Sequence, residues 1–314
     1  MMQIPSLVVT GSLNMDFVVQ VDRLPAPGET TLGGNFQMIP GGKGANQACA
    51  AGKLATNGRV RMVGCVGLDP FADHLKASLA AAGVDVSTVR AARQTPTGVA
   101  LIWVEKSGQN SIVVAPGANA MLAPGDIESA HAAYEGARCA LFQLETPLEA
   151  VAAAMRAGHK AGALTILDPA PARRLPAELL ALVDILTPNE SEACILLDRV
   201  PTRVTFAEAP EIARALRALG PKAVVLKLGD QGCFYSDDQR ELAVQGFTVE
   251  VVDTTAAGDT FNAGLAVALA EGFEIPTALR FANAAAALSV TRLGAQASAP
   301  SREEVDAFIA RSDG

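Results

Sequence analysis

The chain has 314 residues, of which half are hydrophobic and only 4% are aromatic, and its formal net charge is −8 at pH 7. This negative charge disfavours partners that present a continuous phosphate surface, so we expect neither a nucleic acid nor an acidic membrane to bind. No low-complexity stretch divides the sequence, and we expect a single α/β domain over residues 1–314.

The five cysteines are scattered, and no pair has the spacing of zinc ligands. The three histidines, His74, His131 and His159, lie in predicted helices far from any motif, which disfavours a histidine-based triad or a zinc site. The first ten residues lack a basic segment followed by a long apolar core. We therefore expect buried structural cysteines and a cytoplasmic protein.

A short apolar run at residues 6–10 predicts a buried strand, and Asn14 and Asp16 follow it. In open α/β sheets, ligands bind outside the carboxyl ends of the strands. The two side chains together could hold neighbouring hydroxyls of a sugar, because a carboxylate accepts and an amide both donates and accepts. Taken singly, each residue is also typical of an ordinary turn.

Two segments, at about 17–40 and 97–115, alternate apolar and polar residues with a period of two. This pattern predicts two antiparallel ribbons, the second with a polar turn at residues 106–110. The ribbons could pair into one small sheet that acts as a lid. Its exposed face would be a natural surface for a homodimer.

Residues 40–48 are rich in glycine and open a helix that runs to about Leu54, with Lys43 and Asn46 about one turn apart on one face. The segment is not a Walker A loop, because Gly44 stands where Ser or Thr should follow the lysine. An ordinary glycine-rich helix start has the same pattern.

Strand and helix patterns alternate from residue 60 to residue 250, which predicts a doubly wound, mostly parallel sheet flanked by helices. The predicted strands are 60–66, 138–144, 163–168, 182–187 and 222–228, and the predicted helices lie near 71–82, 148–161 and 206–219 and after Asn189. Several strands are followed by polar residues, namely Gln143, Glu145, Asp168, Asn189, Glu190, Glu192 and Lys227.

The segment 253–262 has small residues in a turn that opens an apolar helix. The unpaired N–H groups of such a helix start favour negative charge, and they could stabilise a phosphoryl group during transfer. Asp259 would then lie beside it as a base for a substrate hydroxyl. The simpler interpretation is that Asp259 caps the helix. Two alanine-rich helices, at about 257–271 and 276–291, and a helix at 302–311 complete the chain.

Four segments in this order resemble the ribokinase-like (PfkB-type) carbohydrate kinases. They are the early strand with Asn14 and Asp16, then residues 41–47 (Gly-Gly-Lys-Gly-Ala-Asn-Gln), 187–190 (Thr-Pro-Asn-Glu) and 253–262 (Asp-Thr-Thr-Ala-Ala-Gly-Asp-Thr-Phe-Asn). Residues 27–30, 117–120, 168–172 and 294–296 further match the members that phosphorylate D-ribose. The resemblance covers essentially the whole chain.

The resemblance implies transfer of the γ-phosphoryl group of ATP to the O5 hydroxyl of D-ribose, which gives D-ribose 5-phosphate. A kinase of the same family for 2-deoxyribose, another pentose or a nucleoside is the alternative. A non-catalytic sugar- or nucleotide-binding protein on the same fold is a more remote one. Its expected mark, a replaced Asp259 or a broken glycine of the anion hole, is not found in the sequence.

The resemblance also implies a role for each site residue. Asp259 would be the base, and the N–H groups of Ala256, Ala257, Gly258 and Asp259 would form the anion hole. The residues that would hold the sugar are Asn14, Asp16, Gly42, Lys43, Asn46, Glu145 and Asp259. Those that would line the ATP site are Asn189, Lys227, Gly229, Gly232, Gly258 and Asn283. Glu192 completes an Asn-x-x-Glu pattern implicated in arranging Mg²⁺ and phosphate.

A monovalent cation, expected to be K⁺, is implied beside the anion hole. The matching positions are Asp253, Thr255, Ser289, Arg292, Gly294 and Ser298, several of them through backbone carbonyls only. In the family the lid sheet covers the sugar and pairs with that of a second copy in a homodimer. Ala100, Ile102 and Val113 of the lid are therefore candidates to touch the sugar, and closure would exclude water.

Overall fold

The computed structural model of the protein describes residues 6–56, 58–105 and 109–312. Within these ranges the strands are β1 (Ser6–Thr10), β2 (Asn14–Val21), β3 (Phe36–Gly41), β4 (Arg59–Val66), β5 (Val84–Asp85), β6 (Val89–Ala91), β7 (Gly98–Glu105), β8 (Asn110–Ala115), β9 (Ala137–Phe142), β10 (Leu164–Leu167), β11 (Ile185–Leu186), β12 (Ala223–Lys227), β13 (Gly232–Ser236) and β14 (Glu241–Gln245). The helices are α1 (Lys43–Leu54), α2 (Pro70–Ala81), α3 (Pro124–Ser129), α4 (Leu148–Lys160), α5 (Ala177–Leu180), α6 (Glu190–Leu196), α7 (Ala209–Arg217), α8 (Ala257–Ala270), α9 (Ile275–Ser289) and α10 (Arg302–Ser312).

The main sheet has the strand order β14-β13-β12-β11-β10-β9-β1-β4-β5, and β6 pairs with β4. Its pairs are parallel except that β13 runs antiparallel to both β12 and β14. The central strands are continuous apolar runs because helices cover both of their faces. The prediction of a mostly parallel sheet is confirmed. The predicted strands and helices recur with small changes at their ends, except that the strand predicted at 182–187 is only Ile185–Leu186.

The antiparallel edge was not predicted. The β13–β14 hairpin turns at residues 237–240, where the Asp237 carboxylate accepts from the N–H groups of Gln239 and Arg240. Strand β14 alternates exposed and half-buried residues, as expected of an edge strand with one solvated face. The β-branched run at 247–252 lies beyond this hairpin and outside any strand.

The buried side chains divide into two layers, one on each face of the main sheet. One layer packs the sheet against α1, α2, α8, α9 and α10, and the other packs it against α3 to α7. Helices α8 and α9 lie so close together that a Cβ atom at Gly264 would be only 3.1 Å from Cα of Ala282. The small residues of these two helices permit this approach. No helix within the described ranges combines the length and the hydropathy needed to cross a bilayer.

A separate four-stranded sheet has the order β3-β2-β7-β8. The β2–β3 and β7–β8 ribbons are antiparallel, and the parallel pairing of β2 with β7 joins them, as the sequence predicts. Residues 106–108 of the predicted polar turn lie outside the described residues. We call this sheet the lid sheet.

The register of the lid sheet corrects one prediction. Asp16 pairs with Ala100, and Ala100 with Val114, whereas Val113 pairs with Leu101 in the next row. Because successive side chains of a strand point to opposite faces, Ala100 and Ile102 share the face of Asp16 and Val113 lies on the other face. Asp16 lies near Glu145 and Asp259, so Val113, on the other face, is wrong as a candidate sugar contact.

Candidate active site

The amino ends of α1, α6 and α8 meet at the carboxyl ends of the parallel strands, around a cavity of about 420 Å³. The lining residues are Lys43, Asp168, Asn189, Glu190, Ser191, Glu192, Lys227, Gly229, Thr254, Ala256, Ala257, Gly258 and Asp259. Helix amino ends offer N–H groups to anions, and the lysines add positive charge. The cavity thus combines the features expected of a phosphate site with several carboxylates.

The start of α1 is built close against the end of β1. Gly42 precedes the helix with φ of 88°, a conformation that favours glycine, and a Cβ there would lie 2.7 Å from the Asn14 nitrogen. The N–H of Lys43 donates to Oε2 of Glu145 at 3.1 Å, and the Ser12 hydroxyl donates to the same oxygen. These bonds hold together Lys43 and Glu145, two of the residues predicted to bind the sugar. Ser12 was not predicted.

Lys43 is surrounded by carboxylates. Burial opposes its charge, but the carboxylates of Asp259, Asp168, Glu145 and Glu192 outweigh that effect and raise the pKa of the ammonium above its usual value. Lys43 therefore stays protonated. It provides a positive charge that both Glu145 and Glu192 stabilise.

Asp259 lies in the first turn of α8 and is buried. Its Oδ2 accepts from Nδ2 of Asn46 at 3.2 Å, and its Oδ1 accepts from Nε2 of Gln47 at 3.1 Å. Burial raises the pKa of Asp259 to about 6, against the opposing charge of Lys43 and with a contribution from Asp168 in the same direction. The carboxylate is thus ionised at neutral pH yet basic enough to accept a proton.

Asp16 lies near Glu145 and Asp259, and Asn46 contacts Asp259. Burial raises the pKa of Asp16 to about 7, with further contributions from the charges of Glu145 and Asp259. Gly41 leaves the space that Asp16 occupies, because a Cβ atom there would lie 2.0 Å from its Oδ2. Among the described residues, the buried Oδ1 of Asn46 has no hydrogen-bond partner. An unpaired buried acceptor is costly, and a ligand hydroxyl would satisfy it.

Asn14 lies at the start of β2 and is buried beside Asn119. Nδ2 of Asn119 donates to Oδ1 of Asn14 at 2.7 Å. Asn119 also accepts from the Leu13 N–H at 2.9 Å and donates to the Leu13 carbonyl at 3.0 Å. Asn14 was predicted from its place after the first strand, but its partner, 105 residues away, was not.

The buried Asp168 forms an ion pair with the half-buried Lys227, with Nζ of Lys227 3.0 Å from Oδ1 of Asp168. Oδ2 of Asp168 accepts from Nε2 of Gln47 at 3.1 Å, so the pair is connected to Asp259 through one amide. Lys227 was predicted for the nucleotide side. Asp168 was noted only as a polar residue after a strand, and Gln47 only as part of the glycine-rich segment.

Asn189 and Glu192 form a reciprocal cap at the start of α6. Oδ1 of Asn189 accepts from the Glu192 N–H at 2.8 Å, and Oε2 of Glu192 accepts from the Asn189 N–H at 2.7 Å. Burial raises the pKa of Glu192, and the charge of Lys227 counteracts it. The Asn-x-x-Glu spacing therefore has a structural explanation, and it also holds a carboxylate at the cavity wall.

The start of α8 has a strained turn. Ala256 adopts φ of 57° and ψ of 17°, a left-handed conformation that is uncommon for a residue with a side chain. The N–H of Ala257 donates to the Thr254 carbonyl at 3.2 Å, and the first intrahelical bond runs from the Thr260 N–H to the Ala256 carbonyl at 2.9 Å. The N–H groups of Gly258 and Asp259 precede that bond and lie at the cavity.

The predicted cation residues are brought together next to this turn. Oδ1 of Asp253 accepts from the N–H and hydroxyl of Thr255 at 2.9 and 2.6 Å, and its Oδ2 accepts from the Gly294 N–H at 2.8 Å. The N–H of Arg292 donates to the Ser289 carbonyl at 3.3 Å. The pKa of Asp253 lies below its usual value, because these hydrogen bonds outweigh the effect of burial. The Ser298 hydroxyl donates to the Ala295 carbonyl in the same segment.

Three other predicted nucleotide residues differ in position. Gly229, with φ of 58°, lines the cavity. Gly232 and Asn283 do not line it, although both are described. A Cβ at Gly232 would lie 2.2 Å from the Val244 carbonyl oxygen, and Nδ2 of Asn283 donates to the carbonyls of Val244 and Gln245 at 3.3 and 3.2 Å. Both residues therefore fix strand β14.

A helix amino end and a buried carboxylate facing a lysine-lined cavity are the features that an α/β enzyme needs for phosphoryl transfer. The model of the pfkB family carbohydrate kinases matches residues 5–302. The chain belongs to this family and is a carbohydrate kinase.

Several known proteins are similar to the chain over nearly its whole length. A ribokinase of Bacillus subtilis is 44% identical over 97% of this chain and 99% of its own. A ribokinase of Haemophilus influenzae is 42% identical over 97% of this chain and 98% of its own. A deoxyribokinase of Salmonella typhimurium is 35% identical over 98% of this chain and 99% of its own. The structure of Arabidopsis thaliana ribokinase complexed with ribose and ATP has a TM-score of 0.90 at 36% identity, over 98% of this chain and 99% of that chain.

Proposed function

We propose that the protein is a ribokinase, which transfers the γ-phosphoryl group of ATP to the O5 hydroxyl of D-ribose. The observation that carries this proposal is the position of Asp259. Its Oδ2 lies 3.2 Å from the amide of Asn46 on the sugar side, while its own N–H belongs to the helix start at the cavity. A hydroxyl held beside Asn46 would meet both the base and the phosphoryl group.

Asp259 would take the proton of the O5 hydroxyl as that oxygen attacks the γ-phosphorus. Phosphoryl transfer needs mainly positioning and charge stabilisation, with little covalent work by the protein. The N–H groups of Gly258 and Asp259 and the ammonium of Lys43 would stabilise the negative charge on the transferred oxygens. The other sugar hydroxyls would donate to Asp16, Glu145 and Oδ1 of Asn46.

On the nucleotide side, Lys227, Asn189 and Gly229 would contact the phosphates of ATP. The residues fit Mg²⁺ as well, since the Glu192 carboxylate lies at the cavity wall and Mg²⁺ is usually bound by one or two carboxylates together with substrate phosphates and water. Magnesium would neutralise charge on the phosphates. A role in ATP binding for Asn283 and Gly232 would be indirect, through β14.

We also propose that K⁺ binds beside the turn at 253–256. The donor set consists only of oxygens, from the carboxylate of Asp253, the hydroxyl of Thr255 and backbone carbonyls, and this set fits a hard monovalent cation. The guanidinium of Arg292 pairs with Glu304, so Arg292 would contribute through its backbone. The cation would stabilise the strained turn at Ala256 and so the N–H groups that follow it.

We propose a homodimer formed through the lid sheet. On its face opposite Asp16, the sheet exposes Phe36, Met38, Leu101 and Val113, of which Phe36 and Val113 are 58% and 56% exposed. A contiguous exposed apolar surface of this kind is typical of an interaction site.

We also propose that the protein acts in the cytoplasm, because ATP and ribose 5-phosphate are metabolised inside cells.

The function is tested by ADP release from the purified protein with ATP and Mg²⁺, across ribose, 2-deoxyribose, arabinose, fructose and adenosine, each with K⁺ and with Na⁺ in its place. We expect turnover that selects ribose and rises with K⁺. Equal turnover without K⁺ would contradict the cation site alone, and no turnover with any acceptor would contradict the kinase function.

The competing substrate is 2-deoxyribose, which the similarity to a deoxyribokinase favours. The two sugars differ by one hydroxyl. A site whose buried polar groups bond that hydroxyl rejects a sugar that lacks it by a large factor, because those groups are then left unpaired. A kcat/KM for 2-deoxyribose equal to or above that for ribose would replace the substrate but not the mechanism.

A further inference from the structure

Gln47 lies on the interior side of Asp259. Its side chain is fully buried, and it does not line the cavity. Nε2 donates to Oδ1 of Asp259 and to Oδ2 of Asp168, at 3.1 Å in each case. A single amide therefore connects the two carboxylates.

The orientation of this amide is fixed by a second glutamine. Nε2 of Gln143 donates to Oε1 of Gln47 at 2.5 Å, and Gln143 is fully buried as well. With its oxygen occupied in this way, Gln47 must direct its NH₂ group at the carboxylates. That group has two protons, one for Asp259 and one for Asp168.

We propose that Gln47 is a positioning residue for phosphoryl transfer, which holds Oδ1 of Asp259 from the interior and leaves Oδ2 for the substrate hydroxyl. This inference rests on the proposed function, in which Asp259 is the base. Gln47 acts through Asp259, and Asn46, on the opposite oxygen, is the residue that contacts the sugar. The two neighbouring residues of α1 thus divide the two oxygens of one carboxylate between them.

The charge on Asp259 depends on several elements. Burial and the charge of Asp168 raise the pKa of Asp259, while Lys43 and the amides of Gln47 and Asn46 lower it. The charged groups around it are Lys43 of α1, Asp16 of β2, Asp168 after β10, and Lys227 of β12, which is paired with Asp168. Without the amide of Gln47, the pKa of Asp259 should rise toward neutral.

The test is the pH dependence of kcat/KM for ribose in the Gln47→Leu variant, which keeps the approximate shape of the side chain and removes the amide. We expect the midpoint of the acidic limb to move up by about one pH unit or more, the shift typical of losing a hydrogen bond to a charged group. At pH 6.5 a shift of one unit from a pKa of about 6 should lower kcat/KM about threefold, and the loss should shrink as the pH rises.

Gln143→Leu provides a second variant. It leaves Gln47 in place but frees its amide to turn, so we expect a smaller shift of the acidic limb in the same direction. If Gln47→Leu does not fold, as judged by thermal unfolding, the pH profile of kcat/KM for Gln143→Leu tests the proposal instead. An acidic limb at the wild-type position in the variants that fold would overturn the proposal.

Tyr134→Phe is the matched control. Tyr134 is also buried, and its hydroxyl lies 2.6 Å from that of Thr10. Its loss should lower the melting temperature without moving the acidic limb. A shift in this control equal to that of Gln47→Leu would show a general effect of destabilisation and would overturn the proposal. Absence of turnover in the wild-type protein would instead contradict the proposed function.

Discussion

Asn119 donates from its Nδ2 to Oδ1 of Asn14 at 2.7 Å and is itself bonded to both backbone polar groups of Leu13. The bond occupies the carbonyl oxygen of the Asn14 amide. The NH₂ group of Asn14 is then the part left for a ligand, so in the proposed function Asn14 would donate to a sugar oxygen. Asp16, two residues later, is the acceptor of the same strand.

We expect Asn119→Leu to weaken ribose binding more than it slows turnover. Without its partner, Asn14 can present either end of its amide to the sugar, and a buried acceptor is left unpaired at a cost of about 1–3 kcal/mol. The KM for ribose should therefore rise about tenfold, with a smaller change in kcat and in the KM for ATP. Steady-state kinetics with each substrate varied in turn measures this. A change confined to kcat would contradict the view that Asn119 orients the amide of Asn14 for ribose binding.

Asp259→Asn should nearly abolish turnover while ribose still binds. The amide is similar in shape to the carboxylate but cannot accept the proton, and general base catalysis is typically worth about 10²–10⁴-fold in rate. Calorimetry should give a dissociation constant for ribose within severalfold of the wild-type value. Retention of full turnover would favour the binding-protein alternative or another base.

The affinity for ribose should depend on pH through Asp16. Because the pKa of Asp16 in the free protein is about 7, the carboxylate is largely protonated at pH 6 and ionised at pH 8. Sugar hydroxyls donate better to the ionised form, so ribose should bind more tightly at pH 8 than at pH 6, by up to about tenfold per pH unit below the pKa. Calorimetry across this range tests the prediction. The Asp16→Asn variant should bind ribose weakly and with a flat pH dependence.

The same carboxylate should lower the stability of the free protein at high pH. The pKa of Asp16 is raised in the folded state, to about 7 from 3.8, so the folded state holds its proton more tightly than the unfolded state does. Stability linked to this group is full below pH 3.8 and is lost as the pH rises through 7. Asp16→Asn removes the charge, and it should raise the melting temperature at pH 8 by several degrees and much less at pH 4.5. An equal change at both pH values would contradict this account.

The sequence predicted the residues that lie in local motifs at strand ends. Lys43, Asn46 and Asp259 belong to segments that open helices, and the position of such a segment after a strand implies the edge of the sheet where a site forms. The contacts of Gln47 with Asp168 and Asp259 could be recognised only in the structure. Gln47 is 121 residues from Asp168 and 212 from Asp259, and no local pattern marks pairs at such separations.

The error at Val113 has a different cause. The alternation of β8 shows that Val113 and its neighbours face opposite ways, but the face toward the site depends on the pairing register with β7. A shift of one residue reverses every side chain of a strand. The antiparallel β13–β14 edge was not predicted, because the preceding segment alternates strands with helices and this short hairpin departs from that pattern.

Val113→Glu should separate the proposed dimer. Val113 is exposed on the lid face opposite Asp16, in the same row as Leu101, Phe17 and Met38, and a charge in the centre of an apolar interface must be buried without a partner. Sedimentation velocity should show a dimer for the wild-type protein and a monomer for the variant. Val200→Glu is the control, because Val200 is even more exposed, at 80%, but lies outside the lid sheet. A monomeric wild-type protein, or a variant as dimeric as the wild type, would contradict this interface.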